Sequence, residues 1–79
     1  MNTISALKEI AWQVNIEEFV DEENEQELIN RMRMYINAGH EELGLDADVI
    51  EWAEDATDEQ IITAINEYIE EMEEEDTFI

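Results

Sequence analysis

Between Ile61 and Met72 the apolar residues recur with helical spacing, and every charged residue among them is an acid. At 100° per residue, Ile61, Ile62, Ala64, Ile65, Tyr68, Ile69 and Met72 fall within an arc of roughly 160°. Glu67, Glu70, Glu71 and Glu74 fall on the opposite side. One face has to leave water and the other has to stay in it. The spacing therefore predicts one long amphipathic helix over about 58–74, around which the rest of the chain is expected to be organised. Thr57 and Gln60 fit a capping box at its start, and Asp58 and Glu59 suit the positive end of the helix dipole. The far end is less favourable. Glu67/Glu71 and Glu70/Glu74 are like-charge pairs at i,i+4, each costing a few tenths of a kcal/mol. No Lys or Arg relieves them.

Composition sharpens that oddity. The 79 residues carry 24 acids against three Lys and Arg, a net charge of −21. Simple solubility needs a magnitude of only about 2–8. Residues 1–33 hold eight acids and all three bases, Lys8, Arg31 and Arg33, for −5; residues 34–79 hold sixteen acids and no base, for −16. Such a field repels nucleic acid and anionic membrane and attracts basic proteins at long range. A chain of this length is one domain that buries only about 60% of its unfolded surface. Cys and Pro are absent, so no disulfide assists. The 44% hydrophobic content is periodic, which argues for a fold rather than disorder. No apolar run approaches the ~18 residues of a membrane span, and a cytoplasmic protein is expected.

The remaining elements read as helices too. Ile4, Leu7, Ile10, Ala11 and Val14 form one stripe over about 3–15, with Asn2 or Thr3 as cap. Ile10, Trp12, Val14 and Ile16 also alternate as a strand would, but no second segment resembles a pairing strand. Trp12 lies off the helical stripe, either as a boundary residue covering the core edge or as an anchor for a partner. Ile16, Phe19 and Val20 suggest a short helical turn. Asn24 with Glu27 marks the start of a helix over about 24–38, and Gly39 its stop. Leu28, Ile29, Met32, Tyr35 and Ile36 form its inner face, Glu27 and Arg31 an i,i+4 ion pair, and Met34 points outward. After a turn at Gly39–Asp46, Asp46 is a suitable N-cap for a short helix over about 47–55. Val49, Ile50, Trp52 and Ala53 are expected inward, with Asp48, Glu51, Glu54 and Asp55 outward. Phe78 and Ile79 are available to fold back onto the core. The sum is an all-α bundle of about four helices with short loops.

Catalysis has little to work with. Ser5 and His40 sit on separate elements with no nucleophile-elbow glycines. His40-Glu41-Glu42 lacks the HExxH spacing that puts two His on one helical face. Acids on solvated faces all stay ionised, whereas general acid/base work needs two in different environments. Asp46-Ala47-Asp48 opens like a calcium loop, but Glu51 stands where the sixth-position Gly belongs. No enzyme, cofactor or specific metal site is expected.

What remains is the acidic faces. Helical carboxylates at i, i+3 and i+4 stand about 5–6 Å apart. A duplex carries one charge per roughly 1.7 Å of axis. Asp48, Glu51, Glu54 and Asp55 on the short helix and Glu67, Glu70, Glu71 and Glu74 on the long one are the candidate partner-binding residues, a fixed lattice of negative charge. In size, charge and lack of catalytic residues the chain resembles the phage-encoded DNA-mimic inhibitors of bacterial defence, the anti-restriction and small acidic anti-CRISPR proteins. Those proteins share no motif with one another, so none of their residues transfers to this chain. The resemblance implies evasion of host defence, by occupying the DNA site of a CRISPR or restriction complex in the bacterial cytoplasm. The site that reads the short motif beside the target is one such place. Arg31 and Arg33 would then mark a side away from the partner. An acidic adaptor or regulatory protein, binding a basic partner without displacing nucleic acid, is the alternative. A toxin-neutralising protein using Trp12, Met34 or Phe78 as apolar anchors is a third reading. Direct nucleic-acid binding and membrane association are not expected, and the thin core leaves a homodimer open.

Overall fold

Local signals start the helices. The Asn2 side chain accepts the Ser5 amide at 2.9 Å and opens α1, Thr3–Gln13. Asn24 and Glu27 close a reciprocal capping box at the head of α3, Glu25–Ala38, at 2.9 and 3.2 Å. Thr57 and Gln60 do the same for α5, Asp58–Thr77, at 2.9 and 3.1 Å. Between them lie the single turn α2, Glu17–Val20, and α4, Ala47–Glu54. The computed structural model describes the backbone of residues 2–39 and 41–77 and the side chains of 2–39 and 41–72. Within those residues the chain is all-α, with five helices and no strand. His40, Phe78, Ile79 and the Glu74 side chain, each named by the sequence, lie outside them.

Residues 10–16 show why periodicity alone was ambiguous there. The helix ends at Gln13, two residues earlier than its apolar stripe suggests. Asn15 then takes a left-handed conformation, φ 55°. The Ile16 amide reaches back to the Ala11 carbonyl at 3.0 Å, and the Asn15 amide to Trp12 at 3.2 Å. This is a Schellman ending, in which the residue after the left-handed position folds back onto the last turn. Ile16 is fully buried in one cluster with Ile10 and Ala11. The apparent alternation was a helix followed by its own hydrophobic cap.

The hub is α1 rather than α5. Ala6, Leu7, Ile10 and Ala11 are wholly buried. This helix packs most extensively against α5 and α4 and also touches α3, while α4 and α5 pack on α1 and α3 rather than on each other. Two alanines on the inner face let neighbouring helices come close. The long helix contributes Ile61, Ala64, Ile65 and Tyr68 to the core, with Ile62, Ile69 and Met72 packed at its margin. Every described buried residue with a sizeable side chain is apolar or Tyr68, and among the described residues no buried side-chain polar atom lacks a partner. The radius of gyration, 12.1 Å, sits close to the ~11.6 Å expected at this length.

Several expectations are corrected. Trp52 is 46% exposed, not inward. The buried Val49, Ile50 and Ala53 centre the inner arc of α4 roughly 105° away from it. Arg31 pairs with Glu23 at 2.6 and 2.9 Å, not with Glu27, whose carboxylate is turned back onto the Asn24 amide. Asp46 stands at the N-cap of α4, but its side chain makes no capping bond. Gly39 ends α3 in an ordinary right-handed conformation. It is glycine for space: a Cβ there would lie 2.6 Å from a Leu45 methyl and 2.7 Å from one of Ile50. Leu45 is buried beneath that turn, whereas Leu43 is exposed.

Candidate partner-binding surface

The three Lys and Arg residues act as internal ties. Lys8 on α1 donates to Glu71 on α5 at 2.8 Å. That hydrogen bond, opposed by some desolvation and aided by Glu71 and Glu67, raises the ammonium's pKa. Arg33 on α3 binds Asp58 at the head of α5 and the Ala56 carbonyl at 3.3 Å, fastening the α4–α5 junction. Arg31 forks onto Glu23, donates to the Tyr35 hydroxyl at 3.2 Å, and lies 3.8 Å above the Phe19 ring. The charge-assisted bond from Arg31 holds the Glu23 carboxyl below its usual range, and Glu23 in turn pushes the guanidinium further up. No other ion pair occurs among the described residues.

The anticipated acids divide into groups. Asp48, Glu51 and Glu54 on α4 and Asp55 at its C-cap are all exposed. Glu51 and Asp55 border a depression with Thr3 and Trp52. Glu54 faces a different one, with Arg33, Ile36, Asn37 and Ala53. On α5, Glu70 and Glu71 are exposed and Glu67 is half-buried. Glu71 pairs with Lys8 and Glu67 adds to the field at that ammonium, so Glu70 is the one of these three with no described influence on it. The α4 and α5 acids lie on helices that both pack on α1 and α3 and touch each other little.

A concave feature that charge counting does not reveal lies where α1, α2 and α5 meet. Trp12, Asn15, Glu17, Tyr68, Glu71 and Met72 line a depression of about 360 Å³. The left-handed turn at Asn15 swings α2 round so that Glu17 accepts the Tyr68 hydroxyl at 3.1 Å. Burial, and then that bond to a carboxylate, push the Tyr68 phenol up to about 12. Trp12 stands roughly 170° from the centre of the buried arc of α1 and is 63% exposed, so it does not cover the core's edge. Its position off the stripe was the sequence signal. Glu17 gave none, because its place depends on the reversal before it. Met34 is exposed as its spacing implied, and it borders a shallow surface with Glu23, Glu27, Asn30 and Arg31.

No described helix is long and apolar enough to cross a membrane. No group of three or more acids and His with metal-holding geometry occurs among the described residues. Comparison with protein-family models, curated proteins and solved structures returns no match for the chain.

Proposed function

We propose that this chain is an acidic inhibitor that occupies the nucleic-acid-binding surface of a basic protein in place of a phosphate backbone. A CRISPR effector is the most specific target, as in the anti-CRISPR proteins it resembles. One observation carries the reading: all three Lys and Arg side chains are paired with acids of the chain itself, while the acids of α4 and the outer face of α5 stand in solvent on packed helices. Carboxylates carried on packed helices need no ordering of the backbone on binding, and a groove lined with Lys and Arg gains the counterion release that DNA would give it.

The test uses the whole chain, immobilised, to capture proteins from a bacterial lysate at low salt. Excess duplex DNA is then added. Release of captured nucleic-acid-binding proteins by DNA, and loss of capture as salt rises, support the reading. Partners that stay bound under saturating duplex DNA overturn it in favour of an adaptor that leaves nucleic acid in place. The exposure of Trp12 and Trp52 favours that second reading, because flat apolar anchors add nothing to phosphate mimicry.

A further inference from the structure

The chain contains one complete arginine receptor of its own. The Arg31 guanidinium is stacked on Phe19, forked by Glu23 and touched by the Tyr35 hydroxyl. Such a set satisfies the planar cation on its face and its edge together, and Lys, a compact point charge, does not fit it equally. The depression at the α1–α2–α5 junction repeats the ingredients: an aromatic wall in Trp12, carboxylates in Glu17 and Glu71, and the Tyr68 hydroxyl. Glu17 has one oxygen on Tyr68 and Glu71 one on Lys8; their second oxygens accept no hydrogen bond among the described residues. Arg31 and Arg33 are engaged elsewhere, and among the described residues Lys8 forms its ion pair with Glu71.

We propose that this notch receives an arginine side chain of the basic partner, with Trp12 against the guanidinium face and Glu17 and Glu71 at its edge. The proposal rests on the reading of the chain as a binder of basic protein and names one contact within it. Charge complementarity selects a cation. The exposed indole selects a planar one, since a solvated ammonium gains less from an aromatic face than a weakly hydrated guanidinium does. Trp12 is thereby a specificity element, while the other acids supply attraction that does not distinguish Arg from Lys.

The experiment compares two capped octapeptides of equal charge, alternating Gly-Arg and alternating Gly-Lys. They are titrated against the Trp52→Phe variant, in which Trp12 is the one tryptophan left. The arginine peptide is expected to change Trp12 fluorescence saturably and to bind at least about threefold more tightly than the lysine peptide. By calorimetry, Trp12→Leu and Glu17→Gln each remove that preference, whereas Glu54→Gln, away from the notch, weakens both peptides alike. Equal binding of the two peptides, or a preference that survives Trp12→Leu, overturns the notch. Either result leaves displacement by duplex DNA, the test of the broader reading, unaffected.

Discussion

Asn15 holds a backbone conformation that most side chains avoid, and the whole α1–α2 corner depends on it. A left-handed residue costs about 1–2 kcal/mol for an ordinary L side chain, less for Asn and least for Gly. Asn15→Gly should therefore raise the urea midpoint slightly, and Asn15→Val should lower stability by about 1–2 kcal/mol. A Val variant as stable as the parent would show that the turn is dispensable. Gly39 obeys a different logic. Its right-handed conformation suits Ala, which would gain up to about 1 kcal/mol in conformational terms. The Cβ would also press on two buried methyls, an overpacking cost of about 1–3 kcal/mol. The clash is the larger quantity, so Gly39→Ala should be destabilising in denaturant unfolding. Tyr68 supplies a pH signature. Its phenol is pushed up to about 12 from an ordinary value of 10.0. Between those values the unfolded chain loses this proton while the folded chain keeps it. Stability present below pH 10 is then lost as pH rises toward 12, by on the order of 1–2 kcal/mol. Tyr68→Phe should flatten that slope in unfolding curves measured from pH 9 to 12. An unchanged slope would assign the alkaline loss to other groups.

At the scale of the helix, what could be read beforehand was what is local. Asn24/Glu27 and Thr57/Gln60 announce helix starts because both partners sit within one turn. The inner faces of α3 and α5 follow from spacing alone. The end of α1 did not, because an Asn did a glycine's work and Ile16, the cap, mimicked one more step of an alternating strand. Nor did the neighbours of each helix, since packing both α4 and α5 on α1, and little on each other, is a matter of tertiary structure. The candidate surface suffered most from this. Glu67, Glu70 and Glu71 look equivalent in the sequence, yet Glu71 ties α5 to α1 through Lys8 and Glu67 contributes to the same field. Reversing all three would mix loss of a tie with loss of a binding face. Glu70 is the clean site: it is exposed and makes no described contact with a cation. Glu70→Lys should raise stability by a few tenths of a kcal/mol by relieving its acidic neighbours. It should at the same time weaken capture of the proposed basic partner. A reversal that leaves partner capture untouched would remove the outer face of α5 from the interface.

For the molecule as a whole, salt acts on two opposed quantities. The longest dimension is 37 Å, and at 0.01 M salt the screening length is about 30 Å, so most of the charges feel one another. Near 1 M it is about 3 Å, and only immediate neighbours interact. With a net charge of −21 the long-range part is repulsive in the folded chain. It is weaker in the more expanded unfolded chain. Raising NaCl from 10 mM to 500 mM should therefore raise the thermal midpoint, by several degrees for a gain of about 1 kcal/mol. Attraction to a basic groove runs the other way and falls with the logarithm of salt, in proportion to the counterions released. The −16 of residues 34–79, against −5 for residues 1–33, concentrates both effects in the same half of the chain. A surface adapted merely to salt has no reason for that asymmetry, and its stability alone would respond. A scaffold selected to present charge must accept a weaker fold in the same low salt that makes it bind best. Thermal unfolding and partner capture measured across one NaCl series should thus show opposite slopes, and Glu70→Lys should make both shallower. If the two measurements rose together with salt, the contact with the partner would be apolar, centred on the exposed tryptophans, and the carboxylates would be serving solubility alone.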